Sequence, residues 1–233
     1  PKTEILICEM GIDGLEAPKN MDYLLTIVQP KIGVFLNALP VHTQQMKSVE
    51  NIFTEKSKLI RSLPADGTAV INSDYDIPTK AKVIKFRDDG TAIPPAMAVG
   101  KIFGITKVPK FILPPGRWSF FAGINGSKII DSSYNASPVT MNNALEFLKK
   151  TPGKRKIAVL GDMRELGDLE EKYHKEISQK AEECADMVIT VGPLWKQYCS
   201  QANKLVVQAD NFYQAGKFLQ KILKKGDVVL FKG

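Results

Sequence analysis

Ile129–Pro138, reading IIDSSYNASP, and Ile157–Gly167, reading IAVLGDMRELG, lie one helix length apart and decide the fold. In the first, a buried strand ends in Asp131 and a cluster of Ser, Tyr and Asn. In the second, an apolar run ends in Gly161 and Asp162. Such strands place polar groups at the carboxyl edge of a sheet, where open α/β folds bind their ligands.

Working outward, further buried strands are predicted over Lys128–Asp131, Lys156–Asp162, Met187–Gly192, Lys204–Asp210 and Asp227–Lys232. Helices fit between them at Val139–Lys150, Leu169–Cys184 and Phe212–Lys224. A hairpin precedes them, turning at Asn125-Gly126, a dipeptide suited to positive φ at both central positions. The first half alternates in the same way: strands at Glu4–Met10, Lys31–Asn37 and Thr68–Asn72, with helices around Pro18–Val28 and Val49–Leu63. The pattern weakens through DDGTAIPP, one helical stretch at Met97–Phe103 and the Pro-rich FILPPG. The expected fold class is therefore α/β with mostly parallel sheets, in two domains: residues 1–113, and a small Rossmann-like domain over 114–233.

Composition narrows the function. The net charge of +7 arises from 32 Lys and Arg against 25 Asp and Glu without any long like-charge block, which suits anionic small molecules at least as well as nucleic acid. Cys8, Cys184 and Cys199 are odd in number and lack metal-ligand spacing, so they read as reduced cytosolic thiols. No apolar stretch approaches the roughly 18 residues of a membrane span, and a cytoplasmic location is expected. The chain opens at Pro1 directly into an apolar run and is expected to be part of something longer.

Several residues carry both a chemical and a plain reading. Glu9 ends the run ILIC, where a carboxylate can hold Mg²⁺ beside phosphates, or can be a solvated strand end. Asn72 ends TAVIN similarly, as a ligand contact or a turn residue. His42, in the loop ALPVHTQQ, is one of two histidines and reads as positioned or merely exposed. Lys56, in ENIFTEKSKLI, reads as a surface lysine beside Lys58. Arg117, after Pro-Pro-Gly, is a phosphate clamp or an exposed linker arginine. GINGSK at Gly123–Lys128 has the wrong spacing for a phosphate loop and reads as the hairpin turn. Asp168 with Glu171 reads as a capping arrangement, and His174 as structural.

Taken in order, EMG at 9–11, NALPVH at 37–42, TEKSKLIRSLP at 54–64, AVINSD at 69–74, PPGR at 114–117, IIDSSYNASP and VLGDMRELG resemble the Mur ligase family, on its D-alanyl-D-alanine-adding branch. The resemblance implies an incomplete P-loop-type central ATPase domain and a Rossmann-like carboxyl-terminal ligase domain. It implies an ATP- and Mg²⁺-dependent enzyme, acting as a monomer, that activates UDP-N-acetylmuramoyl-tripeptide as an acyl phosphate for attack by D-alanyl-D-alanine. Glu9 and His42 match Mg²⁺ ligands, Lys56 matches a lysine that becomes carbamylated, and Arg117 matches an ATP contact; Asn72 and Asp131 fall at nucleotide-facing strand ends. The family pattern has a second acid where Ser132 stands, and its phosphate loop GTNGKT is expected before Pro1. The stretch from Phe86 to Pro114 is shorter than the family's. Rival readings are a ligase for another acceptor, such as folate, and a non-catalytic binding protein derived from a ligase.

Overall fold

Three short strands, β1 (Ile32–Phe35), β2 (Thr68–Asn72) and β3 (Lys82–Phe86), form the first sheet, all parallel and in that spatial order. The structure, a computed structural model, describes residues 4–40, 43–199 and 206–233. It divides into two units, Pro1–Lys110 and Phe111–Gly233. In the first, β2 is central and buried on both faces, as the unbroken apolar run AVI requires. Ala69 and Ile71 point into a core with Phe35, Ile52, Ile60 and Leu63, while Val70 points the other way toward Phe86 and Ala98.

Helices α1 (Met21–Ile27), α2 (Thr43–Met46), α3 (Val49–Arg61) and α4 (Ile93–Ile102) surround this sheet. The start of α3 is fixed by Ser48, whose hydroxyl accepts from the Asn51 amide at 3.2 Å, and Lys58 and Arg61 complement the dipole in its last turn.

Two expectations for this unit are corrected. Glu4–Met10 is not a strand: it is irregular, with Leu6 and Ile7 74% and 90% exposed, and Cys8 is exposed rather than buried in a ladder. An apolar run becomes a strand only when another strand takes up its backbone groups, and none of the described ladders includes residues 4–10. Conversely, β3 forms from KVIKF, a largely exposed edge strand with lysines among its apolar residues that was not expected. It does so because β2 offers a free edge, in register from Thr68↔Lys82 to Asn72↔Phe86.

The second unit holds a six-stranded sheet in the order β4-β5-β9-β6-β7-β8. Its strands are β4 (Ser119–Ala122), β5 (Lys128–Ser132), β6 (Arg155–Gly161), β7 (Met187–Val191), β8 (Val206–Ala209) and β9 (Asp227–Lys232). β4 is antiparallel to β5 and the other pairs are parallel. The hairpin turns where expected, with Asn125 and Gly126 at φ 54° and 75°, although through a short 3₁₀ segment over residues 124–126. Thus GINGSK is a chain reversal.

Helices α5 (Pro138–Lys150) and α6 (Glu170–Cys184) cover one face, meeting Ile130, Leu160 and Leu230; α8 (Phe212–Ile222) covers part of the other, meeting Ile157, Val159 and Val229. Between β7 and β8 lies α7 (Pro193–Tyr198), unforeseen because six residues carry almost no periodic signal. The predicted cap of α6 is also corrected. The helix begins at Glu170 without a side-chain cap, Asp168 lies in a preceding 3₁₀ turn, and Glu171 pairs with Lys175 one turn on at 2.6 Å.

Candidate functional site

In the first unit, Lys56 and Asn72 converge with Asn37 at the carboxyl ends of β1 and β2. Lys56 projects from the middle of α3 and donates from Nζ to the backbone carbonyl of Asn37 at 3.0 Å. Burial pushes its ammonium below the ordinary lysine range. Its neighbour Lys58 behaves differently: it pairs with Asp22 at 2.6 Å and with Glu55, which hold its pKa up. The two lysines that look alike in sequence therefore separate into one in an ion-pair cluster and one whose partner is a neutral carbonyl.

Asn72 is 2% exposed. Its Nδ2 donates to Leu36 O at 2.9 Å and its Oδ1 accepts from the Asp74 amide at 3.1 Å, so its side chain ties the ends of β1 and β2 together. Tyr75 adds to this edge: its hydroxyl accepts from the Ala38 amide at 3.1 Å, and its ring meets Phe35 edge-on and stacks on Phe53. Glu9 lies exposed in the irregular segment. His42 lies outside the described residues. Among the described residues no group of three His, Cys, Asp or Glu side chains is gathered as a metal cluster.

In the second unit, the loop between β5 and α5 and the segment before β4 meet. The Tyr134 amide donates to Gly116 O at 3.1 Å, and the Arg117 guanidinium lies over the Tyr134 ring, 3.8 Å from its centroid. Gly116, at φ 77°, sits where a Cβ would come within 3.2 Å of the Tyr134 nitrogen, so the close approach requires glycine. Asp131 accepts from the amide and hydroxyl of Ser133 at 3.1 and 2.6 Å. Ser132, where an acid was expected, is buried beside Lys232 of β9 in the ladder.

The GDMRELG segment proves to be packing and anchorage. Asp162 accepts from the Trp195 amide at 3.3 Å, Gly161 O accepts from the Trp195 indole at 2.9 Å, and Met163 and Leu166 are buried. His174 is structural as expected: its Nε2 accepts from the Met163 amide at 3.2 Å, which puts the proton on Nδ1 facing Glu170 O at 2.8 Å. Desolvation lowers its pKa.

Sequence reading passed over three contributors. Asn37 carries no signal beyond that of a strand end, and the meeting of Tyr134 with Arg117 follows from the β4–β5 register of Ser119↔Asp131, which local sequence does not reveal. Lys232 was also missed, although it stands in phase with Val228 and Leu230 on the buried face of β9.

Parallel sheets whose carboxyl edges collect a desolvated lysine in one unit and an arginine on an aromatic platform in the other define an α/β ligand-binding enzyme architecture. The chain belongs to the Mur ligase family: the model described as Mur ligase, glutamate ligase domain, matches residues 116–233, and the Mur ligase middle domain matches residues 1–93. A Bacillus subtilis protein named UDP-N-acetylmuramoyl-tripeptide–D-alanyl-D-alanine ligase is 28% identical over an aligned length of 283 residues, covering 99% of this chain and 61% of that protein. A Synechocystis protein of the same name is 25% identical over 77% of this chain and 48% of its own length. The crystal structure of a MurF ligase from Thermotoga maritima in complex with ADP shares the fold, at a TM-score of 0.80 and 24% identity over 91% of this chain and 60% of that one. The chain thus spans about 60% of these two longer-matched relatives, and the Bacillus alignment exceeds its 233 residues, so that relative carries segments this chain lacks. No described helix is long and apolar enough to cross a membrane.

Proposed function

We propose that the protein carrying this chain is an ATP-dependent ligase that joins D-alanyl-D-alanine to UDP-N-acetylmuramoyl-tripeptide, working as a cytoplasmic monomer. The supporting observation is the pairing of both Mur ligase domain models with relatives of that name along 99% of the chain. On this reading the tripeptide carboxylate attacks the γ-phosphorus of ATP, forming a P–O bond and releasing ADP. The dipeptide amine then attacks the acyl carbon, the C–O bond to phosphate breaks, and the amine loses a proton as phosphate leaves.

The residues divide that work. Arg117, braced by Tyr134, binds the nucleotide, since a guanidinium fork matches phosphate oxygens and stacks on aromatic rings. Asp131 orders the loop that carries Tyr134 through Ser133 and faces the same nucleotide. In the first unit Asn72 keeps the β1–β2 edge in shape for a nucleotide contact of its own.

Mg²⁺ commonly takes only one or two protein carboxylates and fills its shell with water and phosphate oxygens, a demand that Glu9 and a carbamylated Lys56 would meet by their chemistry. Glu9 and His42 would hold it with Lys56 after carbamylation. Lys56 suits that change because burial favours the neutral amine that adds to CO₂, and its partner is a carbonyl. When bound, Mg²⁺ supplies charge stabilisation at the transferring phosphoryl group.

The test is phosphate release by the intact protein given ATP, UDP-N-acetylmuramoyl-tripeptide and a panel of amines. D-alanyl-D-alanine alone should support turnover. Turnover with glutamate on a folate acceptor would point to the other ligase class, and nucleotide binding without turnover on any pair to a binding protein.

A further inference from the structure

Lys232 is the last residue of β9, one of the two middle strands of the six-stranded sheet, and is 5% exposed. Val228 and Leu230, in phase with it, point into the core beneath α5 and α6. Period-two alternation carries the Lys232 side chain up the same face, past Leu230, to the loop that enters α5. There its ammonium donates to the backbone carbonyl of Asn135. Burial pulls its pKa down to about 8. A lysine this buried, with a carbonyl as its partner, costs stability, so packing alone does not account for it.

The loop it touches is secured at both ends by its own residues. At one end Asp131 holds Ser133; at the other Ser137 and Thr140 close a reciprocal capping box on α5. Among the described residues the middle, Tyr134 and Asn135, is held from outside the loop by the Tyr134 amide on Gly116 O, by the Arg117 guanidinium over the Tyr134 ring, and by Lys232 on Asn135 O. The first two come from the segment that carries Arg117. Lys232 ties the turn directly to β9, while the Arg117 segment is anchored by the β4–β5 ladder from Ser119 onward and by Trp118 on the core.

We propose that Lys232 is a positioning residue that fixes the Tyr134–Asn135 turn to β9 and thereby sets where the Arg117 guanidinium is presented. The functional consequence rests on the reading of Arg117 as the nucleotide contact; the positioning itself does not.

The experiment compares the intact protein with its Lys232→Met, Lys232→Arg and Arg117→Ala variants by amide hydrogen exchange, thermal melting and ADP titration. Lys232→Met removes the donor and the buried charge together. Amides of residues 134–136 should then exchange roughly tenfold faster or more, as expected for one lost charge-assisted hydrogen bond. Exchange in β6 and β7 should be unchanged and the melting temperature should hold or rise. Lys232→Arg, which keeps a donor, should restore part of the protection. ADP should bind more weakly in both Lys232→Met and Arg117→Ala, by about threefold or more in the former, the scale of a displaced cation–π contact.

Unchanged exchange at 134–136 would overturn the proposal, as would loosening spread evenly through the unit with a lowered melting temperature, the mark of a plain core residue. Weaker ADP binding in Arg117→Ala with wild-type binding in a loosened Lys232→Met would overturn it too. Wild-type ADP binding in both variants alongside local loosening would leave the positioning supported and refute instead the nucleotide role of Arg117.

Discussion

The Arg117 guanidinium lies 3.8 Å from the centroid of the Tyr134 ring, and the backbones of Gly116 and Tyr134 are joined by a hydrogen bond of 3.1 Å. A linker arginine is thereby fixed against an aromatic face before any ligand arrives, which reduces the entropy lost when it grips a phosphate. Tyr134→Phe keeps the ring face and should leave ADP affinity within about twofold. Tyr134→Leu removes it and should weaken ADP by roughly two- to fivefold, the range of an exposed cation–π contact. Isothermal titration of the two variants checks the difference.

Lys56 predicts a conflict between stability and activity. Its folded pKa is below that of the unfolded chain, so the unfolded state binds more protons across the interval between them, and the stability of this unit should rise with pH there. Lys56→Met removes the buried cation; it should abolish ligase turnover while flattening that pH dependence in denaturant melts. An active Lys56→Met enzyme would exclude a metal-site role for this residue.

His174 predicts acid sensitivity in the other unit. Desolvation holds its folded pKa below 6.5, so as pH falls through 6.5 the unfolded chain takes up a proton that the folded state refuses, and stability declines. His174→Phe should remove this component of the acid slope. It should also cost about 1–3 kcal/mol at neutral pH by leaving the Met163 amide without its acceptor.

Asp227 predicts a structural cost without a functional one. It is 3% exposed and takes Arg155 at 2.6 Å and the Lys224 amide at 2.8 Å, which together hold its carboxyl low against the opposing effect of burial. That stabilisation is present above the unfolded pKa near 3.8 and is lost as pH falls through the lower folded value. Asp227→Asn should cost about 2 kcal/mol, less than for a fully buried pair because Arg155 is 28% exposed in its side chain. Chemical denaturation at neutral pH gives the number.

The sheet of the second unit was legible because its inner strands β6, β7 and β9 are buried on both faces and read as short unbroken apolar runs, as in IAVL and VVLF. The same signal misled at ILIC, because an apolar run carries no information about whether a partner edge exists, and it missed KVIKF, whose place comes from the free edge of β2. Side-chain roles were less legible still. Lys56 and Lys58 differ by two positions and look equivalent, yet α3 turns one toward Asn37 and the other toward Asp22 and Glu55. The family resemblance singled out Lys56, while only the fold shows why it is the lysine whose charge is suppressed. Lys232 could have been flagged from the sequence as a charge in phase with a buried strand face, a position at which lysine is rarely tolerated without purpose.

The central claim is tested most directly by the mass of the product formed when the intact protein is given ATP, Mg²⁺, UDP-N-acetylmuramoyl-tripeptide and D-alanyl-D-alanine. The account predicts a nucleotide-linked pentapeptide, heavier than the acceptor by one D-alanyl-D-alanine less one water, formed with one ADP and one phosphate. ADP and phosphate appearing without that product, or only when another amine and acceptor are supplied, would contradict it.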